Sequence, residues 1–261
     1  MSDTLNLVYD SIDKANSDKS ASTRRQFVAG TAATLGSLGF LSLADDAEAQ
    51  EGDSIKHILD VAATAEVLAT IVNTIGHVRG LGRDRVTRRN IKAAAREELV
   101  HYRVLRSLGG EALATRIWVP DAVFANRSNF LNTIAVGDQI FINAYLIATK
   151  RFGNLGNGKF AAVASEFMGV EAVHRALARQ SLGQLGNDRV FIKFAQKERA
   201  PGAANRGQPG FTDIDGAVRQ AMAAGFGFGT RGARPGRFFD FFKVNQRTPT
   251  DPDLNTFRPQ G

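Results

Sequence analysis

The chain has 261 residues, of which 43% are hydrophobic and 23% charged, an ordinary globular balance that excludes a disordered polymer or a fibrous repeat. It contains no cysteine, so disulfides, thiolate metal sites, cysteine nucleophiles and cysteine lipidation are excluded, and any metal must be held by His, Asp or Glu. The formal charge of +7 fits nucleic acid and anionic envelope polymers equally, which leaves the choice to the compartment.

The N-terminal segment bears on that choice. Ser22-Thr23-Arg24-Arg25-Gln26-Phe27-Val28 precedes an uncharged stretch to Ala44, and Ala47-Glu48-Ala49 follows before Gln50. This order resembles a twin-arginine export signal ending in a small-x-small cleavage site. The uncharged stretch is shorter than the ~20 residues of a spanning helix and is rich in Gly, Ala, Ser and Thr, so cleavage after Ala49 is expected rather than anchoring. Residues 1–49 thus read as a signal peptide for the twin-arginine export machinery, with the protein released into the periplasm or secreted. Acidic residues outnumber basic ones before position 50, so the remainder is more basic than the whole chain. For an exported chain DNA is not an expected partner, whereas anionic envelope polymers are. Export in the folded state also raises the expectation of a cofactor inserted beforehand.

Four long helices are expected next. From Asp53 to Arg79 the residues are almost continuously apolar or small, with Ile58, Leu59, Ala62, Ala63, Glu66, Ala69, Thr70 and Asn73 recurring at helical spacing. Gly80 to Arg85 breaks this helix. A second, from about Thr87 to Leu108, carries Ile91, Ala94, Ala95, Glu98, His101, Tyr102 and Leu105 on one stripe, and Gly109-Gly110 stops it. After a link containing Pro120, a third begins near Ser128 with Leu131, Ile134, Ala135, Asp138, Phe141, Ile142 and Tyr145 on one face. Gly153 to Gly158 separates it from a fourth, Lys159 to about Leu182, whose inner side holds Phe160, Ala164, Phe167, Glu171, His174 and Ala178. The first and third links are short, and the second, about Gly109 to Arg127, is long enough at ~3.3 Å per residue to run the length of a ~30 Å helix. The expected fold is all-α, a four-helix bundle over 50–183 with a long crossover between helices 2 and 3. Residues 184–261, rich in Gly, Pro, Arg and Phe, read as an irregular C-terminal extension with one short helix near Asp213 to Ala224. Its Phe238-Phe239-Asp240-Phe241-Phe242 cluster is expected to pack on the bundle exterior or on a neighbouring subunit, which leaves room for a homo-oligomer.

Each inner stripe holds a carboxylate where an apolar residue belongs: Glu66, Glu98, Asp138 and Glu171. Four carboxylates in one core repel one another and take up protons unless cations neutralise them. Helices 2 and 4 add a His three residues on, His101 and His174, on the same face one turn away. The distances of the four carboxylates from their helix ends put them at one height within about a turn, ~5 Å. Six such ligands suit two transition-metal ions, iron or manganese, with Glu98 and Glu171 best placed to bridge because each shares its turn with a His. A lone Glu-x-x-His is commonly only a surface pair; two on alternate helices facing two more core carboxylates are not. Glu97 and Glu166 fall off the stripes and are expected to be solvated or paired with Arg, so that replacing either does little. His57 and His77 cannot reach this height and read as structural. Tyr145, two turns from Asp138, is the candidate catalytic side chain, able to give a hydrogen bond or an electron.

These stripes resemble the exported ferritin-like domain family that includes desiccation-related proteins, over about Asp53 to Leu182. Ile58-Leu59 to Glu66 is similar to its first-helix motif, Ala95 to His101 to the second, Asp138 to Tyr145 to the third and Glu171-Ala-Val-His174 to the fourth. Asp138 departs from the family's Glu by one methylene. The resemblance implies a ferritin-like bundle with a dimetal centre, but no substrate. Iron oxidation or storage, peroxide removal and substrate oxygenation, linked to stress protection, all suit such a centre. A different class is an envelope binding or structural protein merely stabilised by metal. Arg79, Arg83, Arg85, Arg88, Arg89 and Lys92, around one bundle end, would serve it by gripping anionic polymers.

Overall fold

The computed structural model describes residues 54–187, 211 and 213–251, and the expected export signal lies outside them. Four long helices dominate: α1 (Ile55–Val78), α2 (Arg85–Ser107), α3 (Arg127–Asn154) and α4 (Gly158–Ser181). Each opens on a side-chain cap, since Ser54, Asp84, Asn126 and Asn157 accept from the backbone N–H three residues on and satisfy a donor the helix leaves free. The turns after α1 and α2 use Gly80 and Gly109 at φ 67° and 94°, where a side chain would be strained.

Polar contacts at one bundle end fix the topology. Arg127, at the start of α3, donates through Nε to the Gly82 carbonyl (3.2 Å) and through Nη2 to Asp84 Oδ2 (3.2 Å), beside the start of α2. Thr87, in the first turn of α2, donates to Ser181 Oγ at the end of α4 (2.9 Å). Helices α2 and α3 therefore start together and run parallel, so the chain between them returns along the whole bundle. That is the crossover expected from the length of the link.

The crossover and the C-terminal segment are more regular than their composition suggests. The link contains β1 (Arg116–Pro120) and a 3-10 turn (Asp121–Phe124). The segment beyond 210 supplies α5 (Asp215–Ala223), β2 (Gly227–Phe228), β3 (Gly236–Asp240) and the one-turn α6 (Phe241–Val244). The strands form an antiparallel sheet in the order β2-β1-β3, with Ile117 opposite both Phe228 and Phe239. The expected irregular extension is thus corrected for its described part: segments of two and five residues are too short to show a period, and they become strands because β1 gives both a partner.

The aromatic cluster packs against the bundle helices, one of the two placements expected for it. Phe241 is fully buried in the main core and meets Tyr102 of α2 edge-on at 4.6 Å, while Phe238 packs on Trp118 (5.2 Å) and Phe239 on Phe124 (5.7 Å). Only Phe242 of the four is largely exposed. Covered by α5 and α6 as well as by the bundle, α1 is buried on nearly every side, so it is long and apolar enough to cross a membrane although 94% of its most apolar stretch is buried within the protein. Two apolar clusters occupy the bundle, one around Ile71, Phe130 and Phe241 and one around Ile58, Phe141 and Phe167. A band of buried polar side chains lies between them.

Candidate metal centre

Each bundle helix gives that band a carboxylate. Glu66, Glu98 and Glu171 have no exposed surface and Asp138 is nearly as buried. His101 and His174 follow Glu98 and Glu171 by one turn and are buried with them. All six sequence-predicted residues meet in one cluster made of two overlapping groups. Glu66, Glu98, His101 and Glu171 form one, and Glu98, Asp138, Glu171 and His174 the other; within each, one ligand atom from every residue lies within 4.8 Å of the rest.

Glu98 and Glu171 belong to both groups and divide their oxygens between them. Glu98 turns Oε2 to His101 Nδ1 (3.5 Å) and Oε1 to His174 Nδ1 (3.2 Å). Glu171 turns Oε1 to His101 Nδ1 (3.3 Å) and Oε2 to His174 Nδ1 (3.5 Å). Despite this closeness, Glu66 Oε2, Glu98 Oε2, both oxygens of Glu171, Asp138 Oδ2 and both Nδ1 atoms are buried without a hydrogen-bond partner. A protein interior does not ordinarily leave so many polar atoms unsatisfied in one place, because each costs about 1–3 kcal/mol. Oxygen and imidazole donors of this kind fit hard or borderline divalent cations, and the buried cluster could hold metal ions.

Electrostatics agree with that fit. Burial, reinforced by Glu98, outweighs the opposing pull of His101 and pushes the Glu66 carboxyl up to about 7. Burial and then Glu171 hold Asp138 well above the usual carboxylate range. For His101 and His174, burial alone favours the neutral ring, but the surrounding carboxylates outweigh it and hold both well above the usual histidine range. Without cations, protons do the neutralising.

The remaining predicted residues divide. Tyr145 donates its hydroxyl to Glu66 Oε1, so it touches a carboxylate of the cluster. Glu166 is exposed, as expected. His57 joins α1 to α5 through Asp215 (2.8 Å), and His77 lies beyond the cluster. Glu97 is a correction: it hydrogen-bonds His174 Nε2 through Oε2 at 2.6 Å and is neither merely solvated nor paired with Arg. Its position next to Glu98 on α2 takes it off the inner stripe but towards α4. The available signal was chemical, since a His that offers Nδ1 to a metal needs an acceptor for its other nitrogen. Asn73, on the inner stripe of α1 but given no role there, donates to Glu98 Oε1 (3.4 Å).

Two small cavities lie near the cluster, and one of them is lined by His174. One, about 10 Å³ and lined by apolar side chains, ends on Tyr145 and Phe167; the other, about 20 Å³, runs from Thr87 and Ser181 to Asn73 and His174. A four-helix bundle with a lengthwise crossover and carboxylate and histidine side chains turned into its core is an architecture that can hold metal between its helices. A family model described as a ferritin-like domain matches residues 54–184, half of the chain, and the chain belongs to that family. No curated protein and no solved structure matches it.

Proposed function

We propose that this ferritin-like chain is exported by the twin-arginine route and holds a dinuclear iron or manganese centre used on O2, peroxide or iron itself, in stress protection of the desiccation-related kind. The observation that carries the reading is the division of Glu98 and Glu171, each giving one oxygen to the His101 side and one to the His174 side. Glu66 and His101 would complete one half, Asp138 and His174 the other. Two ions held in this way would supply two-electron chemistry toward O2 or peroxide. The protein's part is to keep that site dry and fixed. The two apolar clusters exclude bulk water, Asn73 orients Glu98, and the Tyr145 hydroxyl orients Glu66 while placing a proton at Oε1.

A non-catalytic envelope protein stabilised by metal is the second reading, supported by the exposed Arg83, Arg85, Arg88 and Arg89 around the α1–α2 turn. Salt-sensitive binding to envelope fractions, without turnover, would favour it.

One preparation tests the proposal: protein recovered from outside the cytoplasm of metal-replete cells, with its N-terminus, metal content and absorbance on adding O2 or peroxide measured together. The expected result is a chain starting at Gln50 with two ions. His101→Ala and His174→Ala should each lose chiefly one ion, whereas Glu98→Ala should impair both. Folded protein without iron, manganese or a comparable metal sinks the metal reading, and an N-terminus at Met1 or Ser2 sinks the export reading.

A further inference from the structure

The two halves of the cluster differ in what backs their histidines. We infer that they are unequal metal sites: a tight one at Glu98, Asp138, Glu171 and His174, made tight by Glu97, and a looser, exchangeable one at Glu66, Glu98, Glu171 and His101. This rests on the dinuclear reading above and assigns Glu97 as a positioning residue for it.

Glu97 Oε2 lies 2.6 Å from His174 Nε2. With Nδ1 facing Glu98 and Glu171, a ring that ligates through Nδ1 carries its proton on Nε2 and donates it to Glu97. A carboxylate at that position fixes the tautomer, holds the ring plane and makes the imidazole a stronger donor. The Glu97 side chain is 31% exposed, so its charge stays partly solvated.

His101 has no counterpart. Its ring stacks on Phe167 at 4.0 Å with 24° between planes, and among the described residues no hydrogen bond leaves its Nε2. A phenyl ring positions the imidazole but adds nothing to its basicity. On the His101 side Glu66 Oε1 accepts the Tyr145 hydroxyl, while Glu66 Oε2 and, on the His174 side, Asp138 Oδ2 are both buried without a partner, so the difference between the halves rests on what backs the two histidines.

The test is titration of cobalt(II) alone into the metal-free full chain, followed by calorimetry, visible absorbance and elemental analysis. Two binding steps are expected, with dissociation constants at least about tenfold apart; His174→Ala should remove the tighter step and His101→Ala the looser. Glu97→Gln keeps the size and an acceptor oxygen but loses the charge. It should weaken the tighter step about 10- to 100-fold and shift the cobalt absorbance, leaving the looser step within about threefold and the helical content intact. Two steps of equal affinity, or a Glu97→Gln effect that is absent or falls on the His101 step, overturn the inequality and leave the dinuclear reading standing. A wild-type chain that takes up no cobalt overturns both.

Discussion

Glu66 sits with no exposed surface among three other carboxylates and, without metal, keeps its proton up to about pH 7. Its folded affinity for the proton exceeds the unfolded one, so this group stabilises the fold fully below the unfolded value of 4.5, and the contribution is lost as pH rises through about 7. His101 and His174, raised above 6.5, act in the same direction over a higher range. The metal-free protein should therefore melt at a lower temperature at about pH 8 than at about pH 5.5, while the stabilisation added by metal should grow over the same interval as cations displace those protons. Thermal melts with and without metal at the two pH values check this; metal-free stability that rises with pH contradicts it. The six residues of the cluster were legible in the sequence because a helical period of 3.6 puts them on inner stripes, and Glu-x-x-His keeps the pairs on one face. Glu97 was not, because its partner belongs to another helix and stripe analysis weighs each helix alone.

At the level of elements, α1 and α3 approach closely where the buried Phe130 ring lies over Gly76. A methyl group at Gly76 would overlap that ring, which core atoms surround on all sides. Alanine is the better helix former by roughly 1 kcal/mol, but overpacking a closed core typically costs about 1–3 kcal/mol. Gly76→Ala should thus be neutral to destabilising by up to about 2 kcal/mol, against the stabilisation its helix propensity alone predicts. Urea unfolding decides between them, and a clear gain in stability refutes the packing argument. The same elements show what sequence patterns carry. The long helices stand within one or two residues of their expected ends because caps and glycines mark them locally. The three strands were not legible: β1 ends in proline, β2 has two residues, and each partner of Ile117 lies more than a hundred positions away. Their pairing energy comes from chain topology, which no local period records.

Over the whole molecule, the described C-terminal segment completes the bundle's core. Phe226, Phe228, Phe241 and Val244 belong to the same apolar cluster as Val67, Ile71 and Leu99, and α6 covers the side of α1 that faces away from the metal cluster. Phe241 joins the two regions, for its ring is fully buried and meets Tyr102, the neighbour of His101 on α2. If residues 211–251 were a detachable tail, truncating that ring would loosen the tail and leave bundle stability and metal retention unchanged. Because it belongs to the common core, Phe241→Ala should cost about 3–5 kcal/mol and lower one cooperative unfolding transition. Metal should also be lost more readily at temperatures just below that transition, since the cavity opens beneath the helix that carries Glu98 and His101. Calorimetry with parallel limited proteolysis checks this. A second, separate transition, or release of the C-terminal segment while the rest melts as in the wild type, would show that the bundle holds its site without that segment.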